Sequence, residues 1–167
     1  MDFSKYDART AAETAQPVYL RDPATGDFIN DGDLPCAVLV VGSHARTVQA
    51  GILEEARTKM TAAKDKAKGG NKKKKEDEQA TALADVQKTL VEGAARVIRG
   101  FENIERDKRP LTTSAEDIEW FLDLNFLSVK SLMATADDED SDVWNGDSFA
   151  QQILKASNNA GTYLGKK

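Results

Sequence analysis

The segment of residues 81–101, TALADVQKTLVEGAARVIRGF, decides the fold class that the sequence predicts. Its apolar residues recur at steps of three and four, which is the spacing of one face of an α-helix. They are Leu83, Val86, Leu90, Ala94, Val97 and Phe101. Charged residues fall mostly between them, so the opposite face is predicted to contact water. We expect a helix that runs through Phe101 and that neighbouring helices cover with their own apolar faces.

A second amphipathic helix is predicted before this one. Apolar residues recur at four-residue steps through residues 48–60, which predicts a helix over about residues 44–66 with Ser43 as its N-cap. Residues 64–80 combine lysines, two glycines and acidic residues, a composition that cannot bury apolar surface. We therefore predict a low-complexity charged loop that joins the two helices into an antiparallel pair.

The first quarter of the chain has strand patterns instead. Short runs of β-branched, aromatic and aliphatic residues alternate with turn formers; the runs are residues 18–20, 28–29 and 36–41, and the turns are residues 22–27 and 30–33. They predict a small three-stranded antiparallel β-meander with short loops. Residues 1–16 offer little bulk to bury and are predicted to be a flexible N-terminal arm.

Two more helical segments follow the central one. Residues 114–117 resemble a capping box, with Asp117 in place of the usual glutamate or glutamine. The apolar pattern after it predicts one helix, or two helices broken near Asn125. A last helix is predicted over residues 148–158. The fold class is therefore α+β and mostly α, with residues 17–167 forming a single domain in which the meander precedes a helical bundle.

Composition limits the classes of protein that this chain can be. Its 167 residues suit one domain with a core of its own. The net charge of −5 argues against a general nucleic-acid-binding protein. The longest apolar run is far shorter than the ~20 residues that span a bilayer, so no membrane association is expected. One cysteine excludes an intramolecular disulfide bond.

Residues for covalent chemistry are few. His44 is the only histidine and Cys36 the only cysteine; a pairing of the two is compatible with the composition. We interpret His44 as a residue of a first helical turn near solvent, and Cys36 as an inert thiol at the start of a buried strand. The acidic run of residues 137–142 fails the spacing of a calcium loop. We predict no catalytic residue, no metal site and no cofactor, hence no enzyme.

Aromatic residues are concentrated in the last third of the chain. Such side chains are frequent anchors at protein interfaces, although each of them could instead fill the core. The candidate partner-binding residues are Trp120, Phe121, Phe126, Trp144, Phe149, Tyr163 and Leu164.

Several stretches also carry a family pattern. Residues 17–51 read as a strand, a turn, a return, a second strand and a helix start; residues 90–104, 109–123 and 148–164 follow in order. This order resembles tail assembly chaperones and related small tail proteins of tailed bacteriophages. Members of that family have a step similar to G-W-x-x-I before a proline-containing turn and a helix. Here the step is GFENI, residues 100–104, with Phe101 in the place of the tryptophan.

The resemblance implies a non-enzymatic role. Such chaperones bind the helical, apolar tape-measure protein, keep it soluble while tail-tube protein polymerises around it, and then leave. The implied partners are therefore the tape-measure and tail-tube proteins, a homo-oligomer is compatible with the role, and the implied location is the host cytoplasm. The alternative is a structural virion component, such as a minor tail or head protein retained in the particle. A small enzyme or a nucleic-acid-binding protein is the less favoured reading.

Overall fold

A three-stranded antiparallel sheet holds the ends of the long helices together. In the computed structural model, which describes residues 7–66, 75–124, 147–159 and Tyr163, the sheet contains β1 (Gln16–Tyr19), β4 (Ala37–Val40) and β5 (Ile98–Glu102). β4 lies in the middle and pairs with both neighbours. The described chain is mixed α/β with small antiparallel sheets, which confirms the predicted fold class at this level.

The third strand of this sheet comes from a segment that we predicted to be helical. The central helix, α3 (Lys75–Val97), ends before Ile98, so the prediction that it continues to Phe101 is wrong. The three-residue step from Ile98 to Phe101 fits a helix face and not a regular strand, in which it would place the two side chains on opposite faces. Pairing with β4 selects the strand, with Phe101 opposite Val38 and a register shift between Leu39 and Val40.

The predicted return strand does not enter this sheet. Phe28 pairs with Arg21 through an isolated bridge, and the chain then forms a separate hairpin of β2 (Asn30–Asp31) and β3 (Leu34–Pro35). Gly32 has a φ of 60° in its turn, a conformation that glycine adopts without steric cost. The sheet therefore differs from the predicted meander, because β5 and not residues 28–29 completes it.

The other predicted helices form close to their expected positions. α2 spans Arg46–Lys66, α4 spans Ala115–Asp123 and α5 spans Phe149–Asn158. α2 and α3 extend into both ends of the predicted loop at 64–80, and its centre lies outside the described residues. α4 ends near Asn125, as one of the two predicted alternatives requires. Ser114 and Ser148 cap α4 and α5, and Ser148 forms a full capping box with Gln151.

The described part of the predicted N-terminal arm packs against the body. Residues 8–12 form the short helix α1 (Ala8–Ala12), and the amide of Gly42 donates to the carbonyl of Ala12 at 2.9 Å. A Cβ at Gly42 would lie 2.6 Å from the Cβ of Ala12, so this approach needs glycine. Ala12 is 2% exposed. This segment is therefore a part of the fold.

Glu13 from the same segment caps the long helix α2. Its carboxylate accepts hydrogen bonds from the amides of Arg46 and Thr47 and from the Thr47 hydroxyl. Burial alone would raise the pKa of Glu13, but these hydrogen bonds outweigh it and lower the pKa. The predicted cap, Ser43, instead donates its own amide to the carbonyl of Ser157.

The core lies between one face of the sheet and helices α3, α4 and α5. Phe121 joins these layers, with its ring edge-on to Phe101 at 5.2 Å and stacked on Phe149 at 5.1 Å. Around it are fully buried aliphatic side chains: Val38, Val40, Ala94, Val97, Leu122 and Ile153. The C-terminal end of α3 is therefore the part of that helix that enters the core.

Substitution along α3 tests this division. Val97→Asp buries an unpaired charge at a side chain that is 2% exposed, so we expect a loss of about 4 kcal/mol or more in the free energy of unfolding. Val86→Asp, at a side chain that is 47% exposed, should change that free energy by less than about 0.5 kcal/mol. Urea unfolding followed by circular dichroism measures both. Equal effects would contradict the division of α3 into a buried and an exposed half.

Candidate functional site

The predicted partner-binding aromatics occupy different environments. Phe121 and Phe149 are 1% and 8% exposed and fill the core. Trp120 is half-buried, and the guanidinium of Arg106 lies 5.1 Å from its ring centroid. Phe126, Trp144 and Leu164 lie outside the described residues. Of the described candidates, Phe121 and Phe149 are thus packing residues.

Tyr163 is half-buried against the central strand. Its hydroxyl donates to the carbonyl of Val40 at 3.4 Å. Burial raises the pKa of Tyr163 to about 12, because the phenolate form loses hydration. Its hydroxyl therefore stays protonated and serves as a donor to the sheet.

The two residues considered for covalent chemistry lie beyond opposite ends of β4. The thiol of Cys36 is buried and lies 3.0 Å from the carbonyl oxygen of Asn103. Burial and the nearby charge of Asp31 raise the pKa of Cys36, which disfavours the reactive thiolate. His44 is exposed at the start of α2.

Asp117 is the most strongly held charged group in the described structure. It is fully buried, and Arg109 donates two hydrogen bonds to its carboxylate, at 2.6 and 2.9 Å. The amide and hydroxyl of Thr112 donate two more, at 3.0 and 2.7 Å. Asp117 therefore does not complete the predicted capping box; it fastens the hairpin of β6 (Glu105–Arg106) and β7 (Arg109–Pro110) to α4.

The hydrogen bonds from Arg109 and Thr112 hold the pKa of Asp117 well below its ordinary range. The hydrogen bonds that the Asp117 carboxylate accepts thus hold the β6–β7 hairpin to α4. The turn of this hairpin needs such support because Asp107 and Lys108 both have positive φ angles. We interpret this cluster as a structural fastening. Across the described ranges, no three histidine, cysteine, aspartate or glutamate side chains are grouped closely enough to hold a metal ion.

An exposed apolar stripe runs along α2. Val48 is 4% exposed at the start of the stripe, but Ile52 is 40% exposed and Ala56 is also exposed. Leu53, beside Ile52, is 59% exposed. Among the described side chains of the predicted apolar face of α2, the fold therefore covers Val48 and leaves Ile52, Leu53 and Ala56 exposed. The side chain of Met60, predicted on the same face, lies outside the described residues.

The same change occurs along α3. Ala94 and Val97 are buried, Leu90 is half-buried and Val86 is 47% exposed. Leu90 and Leu154 line an open groove of about 460 Å³ between α3 and α5. The apolar face of α3 is thus increasingly exposed with distance from the sheet.

A charged pair links the two helices near the sheet. The guanidinium of Arg96 on α3 donates two hydrogen bonds to the carboxylate of Glu55 on α2. Glu55 follows Ile52 by one helical turn. The ionic contact between Glu55 and Arg96 therefore lies where we expected apolar packing between α2 and α3. We define the helix stripes as Ile52, Leu53 and Ala56 on α2 with Val86 and Leu90 on α3; they are the candidate functional surface.

Sequence reasoning identified the residues of this surface but not its exposure. Heptad-like spacing predicts that a helix face will be covered, and it does not say by what. The one available signal was the amino-acid composition of α2, which contains more polar residues than a helix with one fully buried face needs. None of the helices in the described part of the chain has the length and apolar content needed to cross a bilayer.

Comparison with other proteins adds no assignment. No protein-family model, curated protein sequence or solved structure matches the chain. The class of the protein must therefore be inferred from its own residues and from their exposure.

The Asp117 fastening predicts a specific pH dependence. Because the folded pKa is depressed, its stabilisation is complete above the ordinary aspartate pKa of about 3.9 and is lost as pH falls below it. Asp117→Asn should lower Tm at pH 7 and flatten the Tm profile between roughly pH 5 and pH 2. Asp123→Asn, on the same helix but exposed, serves as the control. Parallel profiles for Asp117→Asn and the wild type would contradict the assigned role.

Proposed function

We propose that this protein is a non-enzymatic assembly chaperone that covers apolar helical segments of a client chain with its helix stripes. The observation that carries the proposal is the exposure of Ile52, Leu53 and Val86 at 40%, 59% and 47% on two long helices. Large apolar side chains repeated on one helix face, and left uncovered, are typical of surfaces that bind another protein.

The geometry suits reversible binding of a helix. An amphipathic client helix can lay its apolar face along a stripe and contact residues one turn apart. The chain's net charge of −5 would keep such a complex soluble. Each described stripe is short, so one contact would be weak, and tight binding would need several copies on one client.

The sequence resemblance suggests which assembly this is. The protein would be a tail assembly chaperone of a tailed bacteriophage, with the tape-measure protein as client and tail-tube polymerisation as the assisted step. It would act in the host cytoplasm and leave before the particle is complete. The partly buried Trp120 and the aromatics outside the described residues remain candidates for additional contacts.

Co-expression with the tape-measure protein of the same phage tests the proposal. The wild type should keep the client in the soluble fraction and co-purify with it. Ile52→Asp/Leu53→Asp should abolish both effects, because the charges oppose burial against an apolar helix. Both side chains are exposed, so the unfolding free energy should change by less than about 1 kcal/mol.

A matched variant controls for the loss of an exposed leucine. Leu124→Asp replaces a side chain that is 53% exposed at the C-cap of α4, on a different helix from the stripes. It should preserve client solubility. Undiminished solubilisation by Ile52→Asp/Leu53→Asp would refute the proposed surface.

A retained virion component is the second candidate. Helix stripes could equally be covered by a permanent neighbour in a tail or head. Quantitative mass spectrometry of purified particles separates the two roles. Absence from mature particles supports the chaperone, and a stoichiometric amount supports the structural protein.

A further inference from the structure

A cleft between α1 and the start of α2 is lined by positively charged side chains. It has a volume of about 370 Å³ and is lined by Arg9, His44, Arg46, Gln49 and Leu53. α1 provides Arg9, and α2 provides three of the others one turn apart. The docking of α1 through Ala12 and Gly42, described above, therefore creates this cleft.

The two guanidinium groups of the cleft have hydrogen-bond donors to spare. Among the described residues, no carboxylate or carbonyl accepts a hydrogen bond from the side chain of Arg9 or Arg46. The nearby acids are occupied: Asp7 accepts from the amides of Arg9 and Thr10 and from the Thr10 hydroxyl. Glu13 is occupied as the cap of α2. An incoming carboxylate would thus find free donors in a fork geometry that suits it.

One wall of the cleft is apolar and continues into the helix stripes. Leu53 lines the cleft and is 59% exposed, and Ile52 is its neighbour on α2. A free phosphate ion would contact the arginines and leave Leu53 in water. Among the described lining residues a nucleic acid would meet no aromatic side chain, and it would approach a chain with a net charge of −5.

We infer that this cleft binds an acidic side chain of a helical protein segment whose neighbouring leucines lie on Ile52 and Leu53. The inference rests on the proposed function and adds the chemistry of the client: a glutamate or aspartate next to an aliphatic helix face. Arg9 and Arg46 bind the carboxylate, while the side-chain amide of Gln49 already donates to the carbonyl of Ser43 at 2.7 Å. The charged contact fixes the direction and register in which the client helix lies along α2.

Two labelled peptides measure this selectivity. Both are amphipathic helices with leucines one turn apart; one has a central glutamate, and the other has lysine at that position. Fluorescence anisotropy should show about ten-fold tighter binding of the glutamate peptide to the wild type. Arg9→Glu/Arg46→Glu should reverse the preference. Arg9→Gln/Arg46→Gln should abolish it, and this neutral variant answers the question if charge reversal impairs folding.

The control changes the same net charge elsewhere. Arg57→Glu/Lys88→Glu alters two exposed cations of α2 and α3 that pair with Glu54 and Glu92, outside the cleft. It should retain the preference for the glutamate peptide. Equal preferences in the cleft variants and the wild type would overturn the inference.

Failure of this inference differs from failure of the proposed function. If Arg9→Gln/Arg46→Gln solubilises the client and selects peptides as the wild type does, the cleft has no role and the helix stripes can still bind. If Ile52→Asp/Leu53→Asp solubilises the client normally, the proposed function fails whatever the peptide preference.

Discussion

The pairing of β4 with β5 is the constraint on which the rest of the structure depends. In the sequence, β4 precedes α2 and β5 follows α3, so this pairing closes the long segment that contains both helices. The amide of Val41 donates to the carbonyl of Val97 at 2.9 Å where that segment closes. Because the entropic cost of closing a loop grows only slowly with its length, lengthening the segment between β4 and β5 costs little free energy once the sheet has formed. α2 therefore begins near the sheet and α3 ends at it, and the turns of these helices nearest to the sheet are the ones that reach the core. Farther along, their apolar faces have no described partner within the chain.

Local chemistry made much of this fold predictable, and non-local contacts account for the rest. Helical spacing places α2, α4 and α5 within a few residues, and serine caps also mark the starts of α4 and α5, because these signals act over one or two turns. β5 was missed because Ile98 and Phe101, three residues apart, match the helical period, and they pair with Val40 and Val38 of β4 only through a register shift. The cap of α2 was missed because Glu13 lies 33 residues before Arg46. The sequence pattern assigned Asp117 to a capping box, but its carboxylate instead accepts hydrogen bonds from Arg109 and Thr112.

The exposure of the helix stripes could not be predicted either, because it too depends on non-local contacts. A periodic pattern identified the apolar residues on α2 and α3, yet their exposure depends on how far each helix extends from the sheet. The predicted partner-binding aromatics include Phe121 and Phe149, and both are buried in the core. A chaperone benefits from this separation, because a rigid core can stay folded while weaker, exposed stripes bind and release a client. The Arg9 and Arg46 cleft would add direction to contacts that apolar packing alone leaves non-directional.

Hydrogen exchange resolved to single amides, on the free protein and on its proposed complex with the tape-measure protein, distinguishes the core from the helix stripes. Amides of β4, β5 and the C-terminal turns of α3 should exchange slowly in both states. Amides of α2 around residues 52–56 and of α3 around residue 86 should exchange quickly in the free protein and slow markedly in the complex. Slow exchange of these helical amides in the free protein, or no change when the client binds, would contradict the proposed role of the helix stripes.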